Sequence, residues 1–177
     1  MQYNMEEVER DYMGYDIAVW QDYHYEFDDY DDDVFIIASH RDFYKKRDGF
    51  DPLEIYQSGK QFYQGYHAIP LYAYIHGGVT ISITPFSCPW DSCQVGYVMV
   101  KRQKGWSWKR DDAIVIANHH ALQYDQALQG EVYGVSIYKD DELYDTIHSI
   151  VGSEDHAFYR ARLEIDKWTN KYKSINQ

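Results

Sequence analysis

The sequence predicts an α+β fold, an antiparallel sheet built of hairpins with two or three helices packed on one face. Three observations carry this. Apolar or alternating runs of strand length recur along the chain, two pairs of them flank tight-turn residues, and two later segments switch to a helical period. At 177 residues and 45% hydrophobic, the chain can bury a core without disulfide or metal staples.

In chain order, Asp16 to Gln21 (DIAVWQ) alternates apolar and polar residues and reads as a strand. Asp22 to Asp33 is acidic and reads as a loop or extension. Val34 to Ser39 (VFIIAS) is a continuous apolar run rich in β-branched residues, the pattern of a buried strand. His40 to Phe50 is charged and turns at Asp48-Gly49. Asp51-Pro52 is an N-cap followed by proline at the first helical position, which opens a short helix towards Gln64. Ile69 to Ile75 and Val79 to Thr84 flank Gly77-Gly78 and form the clearest hairpin, since glycine supplies the positive φ of a tight turn. Pro85 to Ser92 holds two prolines without ladder donors, so it is no central strand. Gln94 to Val100 resumes as a strand. Asp111 or Asp112 caps a helix with Ile114, Ala117, Ala121, Leu122 and Leu128 on one face, closed by Gly130. Val132 to Tyr138 and Leu143 to Val151 make a second hairpin. Ser153 caps a last helix with Phe158, Ala161, Ile165, Trp168 and Tyr172 on its inner side.

The division expected is an acidic, tyrosine-rich N-terminal segment over 1–33 and a single α+β domain over 34–177. Residues 1–33 hold twelve acids against one base and carry nearly all of the chain's net charge of −12. No apolar run is long enough to span a bilayer and no signal peptide is visible, so a soluble, intracellular protein is expected. The acidic balance tells against a general DNA or membrane-surface binder.

The acidic stretch also holds aromatics. It reads either as a solvated face or as a surface whose carboxylates (Asp22, Glu26, Asp28, Asp29, Asp31, Asp32 and Asp33) compete for a channel meant for nucleic acid. Lys101 to Arg110 (KRQKGWSWKR) packs five bases and two tryptophans into ten residues. Lys101, Arg102, Lys104, Trp106, Trp108, Lys109 and Arg110 suit a single-strand groove through phosphate pairing and base stacking, or form a connector with its bases in water. His40 and Arg41 follow a buried strand, and Thr80 and Ser82 lie on a polar rim; together they are candidate contacts for a small anionic nucleotide. Phe86, Trp90 and Asp91 sit in a loop stiffened by prolines, the best candidate for contact with a partner. Cys88 and Cys93 with His119-His120 lack the tight pairing of a zinc site and read as buried free thiols. No elbow serine or phosphate loop is present, so neither a catalytic residue nor a cofactor is expected.

Ile69 to Gly96, with PFSCPWDS at its centre, resembles the central block of a family of small, uncharacterised phage and mobile-element proteins. The resemblance extends to Ala38-Ser39-His40-Arg41, Gly49-Phe50-Asp51-Pro52, Tyr124-Asp125-Gln126 and Gly130 to Gly134. The chain departs from that pattern at Cys93, where glycine is favoured, and at Asp42, more often basic. The resemblance implies an accessory protein expressed in a bacterial cytoplasm. The function expected is therefore non-enzymatic inhibition of a host defence nuclease, or of its guide or DNA complex, in the manner of anti-CRISPR and antirestriction proteins. Single-stranded nucleic-acid binding and the binding or cleavage of a small signalling nucleotide are the alternatives, and a homodimer stays open.

Overall fold

The computed structural model describes residues 5–23, 31–102 and 109–175. In chain order the elements are β1 (Met5–Tyr12), β2 (Tyr15–Gln21), β3 (Val34–His40), β4 (Phe43–Lys45), α1 (Pro52–Ser58), β5 (Phe62–Tyr63), β6 (Tyr66–Ile75), β7 (Val79–Ser82), β8 (Ser92–Lys101), α2 (Arg110–Leu128), β9 (Val132–Lys139), β10 (Glu142–Val151) and α3 (Glu154–Ile175). They are antiparallel throughout, as the α+β reading expects. Among the described residues no helix is long and apolar enough to cross a membrane.

The chain divides into two compact units, 1–26 with 130–177 and 27–129. This differs from the expected split after residue 33. The N-terminal strands cannot form a separate segment, because β2 pairs with β9 along its length, from Asp16 opposite Tyr138 to Gln21 opposite Tyr133.

In the first unit the strand order is β1-β2-β9-β10. Tyr15, Ile17 and Val19 of β2, with Val135 and Ile137 of β9, meet Ala157, Phe158, Ala161 and Ile165 of α3. On the alternate positions of the sheet, the Trp20 ring lies so close over Gly134 that any β-carbon there would collide with it. Its indole N–H donates to Ser136 Oγ at 3.2 Å. Ser153 Oγ accepts the His156 backbone N–H, the cap expected for α3.

The second unit has the order β4-β3-β8-β6-β5, with β7 beside β6. Its helices lie on opposite faces, not on one. Ala113, Ala117, Ala121 and Tyr124 of α2 pack on Ile36, Ile69, Leu71 and Val98, while Ile55 of α1 packs with Phe35, Ile37, Tyr97 and Met99. The expected α2 face is corrected in part: Ala117 and Ala121 are buried, but Ile114, Leu122 and Leu128 are exposed. Small alanines let the helix approach the sheet closely, and that outweighs the larger aliphatic side chains. The helix begins at Arg110, where Asp112 accepts the Lys109 N–H at 2.9 Å. Helix α1 stops at Ser58 because Gly59 turns left-handed at φ 62°.

Two contacts close the free side of β7. The Ile81 N–H donates to Asp125 Oδ1 of α2 at 2.8 Å, and the Gln129 side-chain amide donates to the Val79 carbonyl at 2.9 Å. A short strand capped in this way cannot template further pairing.

Candidate functional site

A register shift in the second sheet shapes a concavity on it. Leu71 lies opposite Gly96 but Tyr72 opposite Gln94, so Val95 is an extra residue on β8. Such a bulge re-aims the side chains beside it. Val95 turns into the α2 core while Tyr97 belongs to the α1 core. Gly96 is pressed against the Ile37 carbonyl, which leaves no room for a β-carbon. The result is an open groove of about 420 Å³, lined by Ser39, Leu53, Tyr56, Gln94 and Tyr97 with the Gly96 backbone at its floor. Among the described residues no lining side chain is charged. Burial pushes the Tyr97 phenol up; a hydrogen bond with Gln94 opposes this and the Tyr56 and Tyr72 phenols add to it.

The sheet carries further polar and aromatic residues beside the groove. Ala73, Ile75 and Ile81 face the α2 core, so by alternation Tyr72, Tyr74, Thr80 and Ser82 lie on the opposite face. Tyr72 pairs with Ser82 and Tyr74 with Thr80. Phe86 packs at a tilt on Tyr74, with ring centroids 5.9 Å apart. The Phe86–Ser92 loop is thereby anchored on this face at one end. At the other, the Asp91 carbonyl accepts the Ile75 N–H at 2.8 Å, and its carboxylate meets His76 Nδ1 and Cys88 Sγ, each at 3.6 Å. Between these anchors Trp90 stands 91% exposed.

The other sequence candidates fare differently. Asp22 is buried at 8% exposure, where its carboxylate accepts the Ser149 N–H at 3.1 Å and lies 3.9 Å from His148. It is a structural group, not part of an acidic surface. Asp32 pairs with Arg47, Asp33 with Lys101 at 3.0 Å, and Asp31 accepts the Asp33 N–H at 2.8 Å. The C-terminal end of the acidic stretch is thus partly neutralised by this unit's own bases. Glu26, Asp28 and Asp29 lie outside the described residues, as do Lys104, Trp106 and Trp108.

The basic run is divided by the sheet. Lys101 is held to Asp33, a hydrogen bond that raises its pKa, while Arg110 donates to the carbonyls of Gln61 and Ala68 at 3.3 and 3.4 Å. Lys109 is exposed at the start of α2. The proposed nucleotide set does not converge. His40 and Arg41 sit at the end of β3, and Thr80 and Ser82 on β7, with β8 and β6 between them, about 14 Å across the sheet. Arg41 is occupied by a two-point pair with Asp42 at 3.0 Å; its hydrogen bond holds the Asp42 carboxyl below its usual range. Cys88 is half-buried and Cys93 exposed, both as free thiols, so the expectation of two buried thiols is corrected. The extra residue on β8 places Cys93 beyond the packed part of the strand.

The groove itself escaped sequence reading. It needs α1 and β8 brought to one face, and its only local signal is glycine at position 96 inside an apolar strand, a pattern that marks close backbone approach. No family model matches this chain, and no curated protein or solved structure is significantly similar to it.

Proposed function

We propose that the protein is a non-enzymatic binding protein that inhibits a bacterial defence nuclease, or its nucleic-acid-bound complex, by docking against it through the Phe86–Ser92 loop and the adjoining tyrosine groove. The single observation that carries the binding mode is Trp90, a fully presented indole on a loop anchored at Phe86 and Asp91. Burying about 200 Å² of such a ring is worth about 5 kcal/mol before the costs of association. A loop already fixed loses little further entropy on binding. Tryptophans of this kind are the residues that dominate interfaces when truncated. The nuclease as partner, and a bacterial cytoplasmic setting, rest on the resemblance of the PFSCPWDS block.

The internal pairing of Asp22, Asp32 and Asp33 makes the aromatic loop, not charge mimicry, the centre of the reading. The test is nuclease inhibition and direct binding against a panel of purified bacterial defence nucleases. Trp90→Ala is expected to weaken binding at least 30-fold, about 2 kcal/mol, with an unchanged circular dichroism spectrum. Replacing Asp28, Asp29, Asp31, Asp32 and Asp33 by Asn is expected to cost less and to act mainly at low salt. Full potency of Trp90→Ala alongside loss in the Asn variant would reverse the assignment in favour of the acidic surface.

A further inference from the structure

We propose that His67, Arg102 and Arg110 form a phosphate-binding site at the end of the β6–β8 pair, a site independent of the Trp90 loop. Sheet alternation brings the first two together. His67 lies opposite Val100, whose side chain enters the α2 core. Arg102 follows two residues later, and its N–H donates to the Gly65 carbonyl at 3.0 Å, so the ladder persists past the end of β8. His67 and Arg102 therefore share the α2 face as diagonal neighbours, while Lys101 between them points the other way to Asp33. Arg110, the first residue of α2, closes the third side. Its guanidinium reaches the carbonyl of Ala68, next to His67, and that of Gln61.

Two features of this cluster lack an internal explanation. His67 Nε2 is enclosed yet has no hydrogen-bond partner among the described residues, although buried polar atoms are nearly always satisfied and leaving one unpaired is costly. Arg102 has no ion pair among the described residues, in a chain where Arg41, Arg47 and Lys101 each find a carboxylate. Two guanidiniums beside one imidazole repel its protonated form; burial, then Arg110, then Arg102, holds the His67 pKa below its ordinary value.

A phosphate dianion answers all of this at once. It accepts N–H donors from Arg102 and the remaining donors of Arg110, and the charge it brings lets His67 protonate; donation from the enclosed Nε2 then requires the ring to turn towards the anion. The helix N-terminus contributes little, because Asp112 already accepts the Lys109 N–H and Asp111 stands beside it.

The test follows the eight histidines of the full chain by ¹⁵N-edited NMR, with His67→Gln to assign the resonance. Inorganic phosphate is added at constant ionic strength against chloride. A saturable shift at His67, with its titration midpoint moving up, is expected. Arg102→Gln, at an exposed position, should weaken the response about tenfold, the loss of one charged hydrogen bond, and Arg102→Lys should fall between. A response no larger than that to chloride, or one unchanged in Arg102→Gln, would overturn the proposal. Parallel titrations with adenosine monophosphate and a short oligothymidylate separate the sources. Equal affinity for phosphate and the mononucleotide marks a small phosphate ligand, and tighter, salt-sensitive binding of the oligomer marks a nucleic-acid backbone. Trp90→Ala leaves all of these unchanged, so the site and the docking loop fail or stand separately.

Discussion

The two units are built from the same parts, an antiparallel sheet with one long helix, but differ in what their polar and aromatic side chains do. In the first unit several of them are turned inward. Tyr12 donates to Asp166 at 3.2 Å and carries the Arg162 guanidinium over its ring, Trp20 donates to Ser136, and Asp22 holds the Ser149 N–H. In the second unit Trp90, Tyr56 and Leu53 are presented to solvent beside a groove, and Arg102 has no ion pair among the described residues. The first unit uses its polar groups to fix its own backbone, and the second leaves groups free to bind. Binding is therefore expected in the second unit, although the most conspicuous feature of the sequence, its acidic N-terminal stretch, begins in the first.

Two tryptophans give the sharpest way to break this contrast. Trp20 is buried, so Trp20→Ala removes an indole from a packed layer and is expected to cost about 3–5 kcal/mol. Trp90→Ala removes one from water and is expected to change stability by less than about 0.5 kcal/mol. Urea unfolding of both variants measures this directly. A large loss on Trp90→Ala would mean that the loop is structural and would undo its assignment as a docking element.

Smaller, but aimed at the second unit alone, is the cap on β7. Asp125→Ala leaves the Ile81 N–H without an acceptor and should cost about 1–3 kcal/mol. Asp125→Asn keeps the acceptor and should restore most of it. Hydrogen exchange at Ile81 reports the cap itself: fast exchange in the Ala variant and protection in the Asn variant are expected, and equal protection in both would show that the contact does not hold the edge.

These expectations also mark what was legible in the sequence. VFIIAS and QVGYVMV announced the two central strands because burial on both faces demands unbroken apolar runs, and Gly77-Gly78 announced its hairpin. β1 (MEEVERDY) was hidden by its charge, since a strand's backbone can pair whatever its side chains carry. The β2–β9 pairing, which joins residues more than a hundred apart in the chain, leaves no local trace. The α2 register misled because hydrophobicity favours Ile114 and Leu122 over Ala113, whereas packing distance favours alanine. For the site, prolines pointed to the Phe86–Ser92 loop. The groove depends on a bulge at Val95, and the basic cluster on a lone histidine seven residues along the chain from the nearest other base. Neither has a sequence signature.

The last effect is the smallest and bears on that histidine. Its pKa lies below 6.5 in the folded protein and returns to about 6.5 in the unfolded chain. Above pH 6.5 both states carry neutral imidazole, and the stability linked to His67 is fully present. As pH falls through 6.5 the unfolded chain takes up its proton first, so that stability is lost progressively down to the folded pKa. His67→Gln should flatten this part of the profile. The Asp42 carboxyl, also lowered, acts in a window that opens only below 3.8. Saturating phosphate should flatten the slope near pH 6.5 in the unmodified chain, since an anion between Arg102 and Arg110 returns the imidazole pKa towards its ordinary value. At the same phosphate concentration the flattening should be smaller in Arg102→Gln, in line with its roughly tenfold weaker binding. Denaturation profiles across this window, with and without phosphate, would tell an imidazole kept neutral by two uncompensated guanidiniums from one kept neutral by burial alone, because only the first responds to the anion.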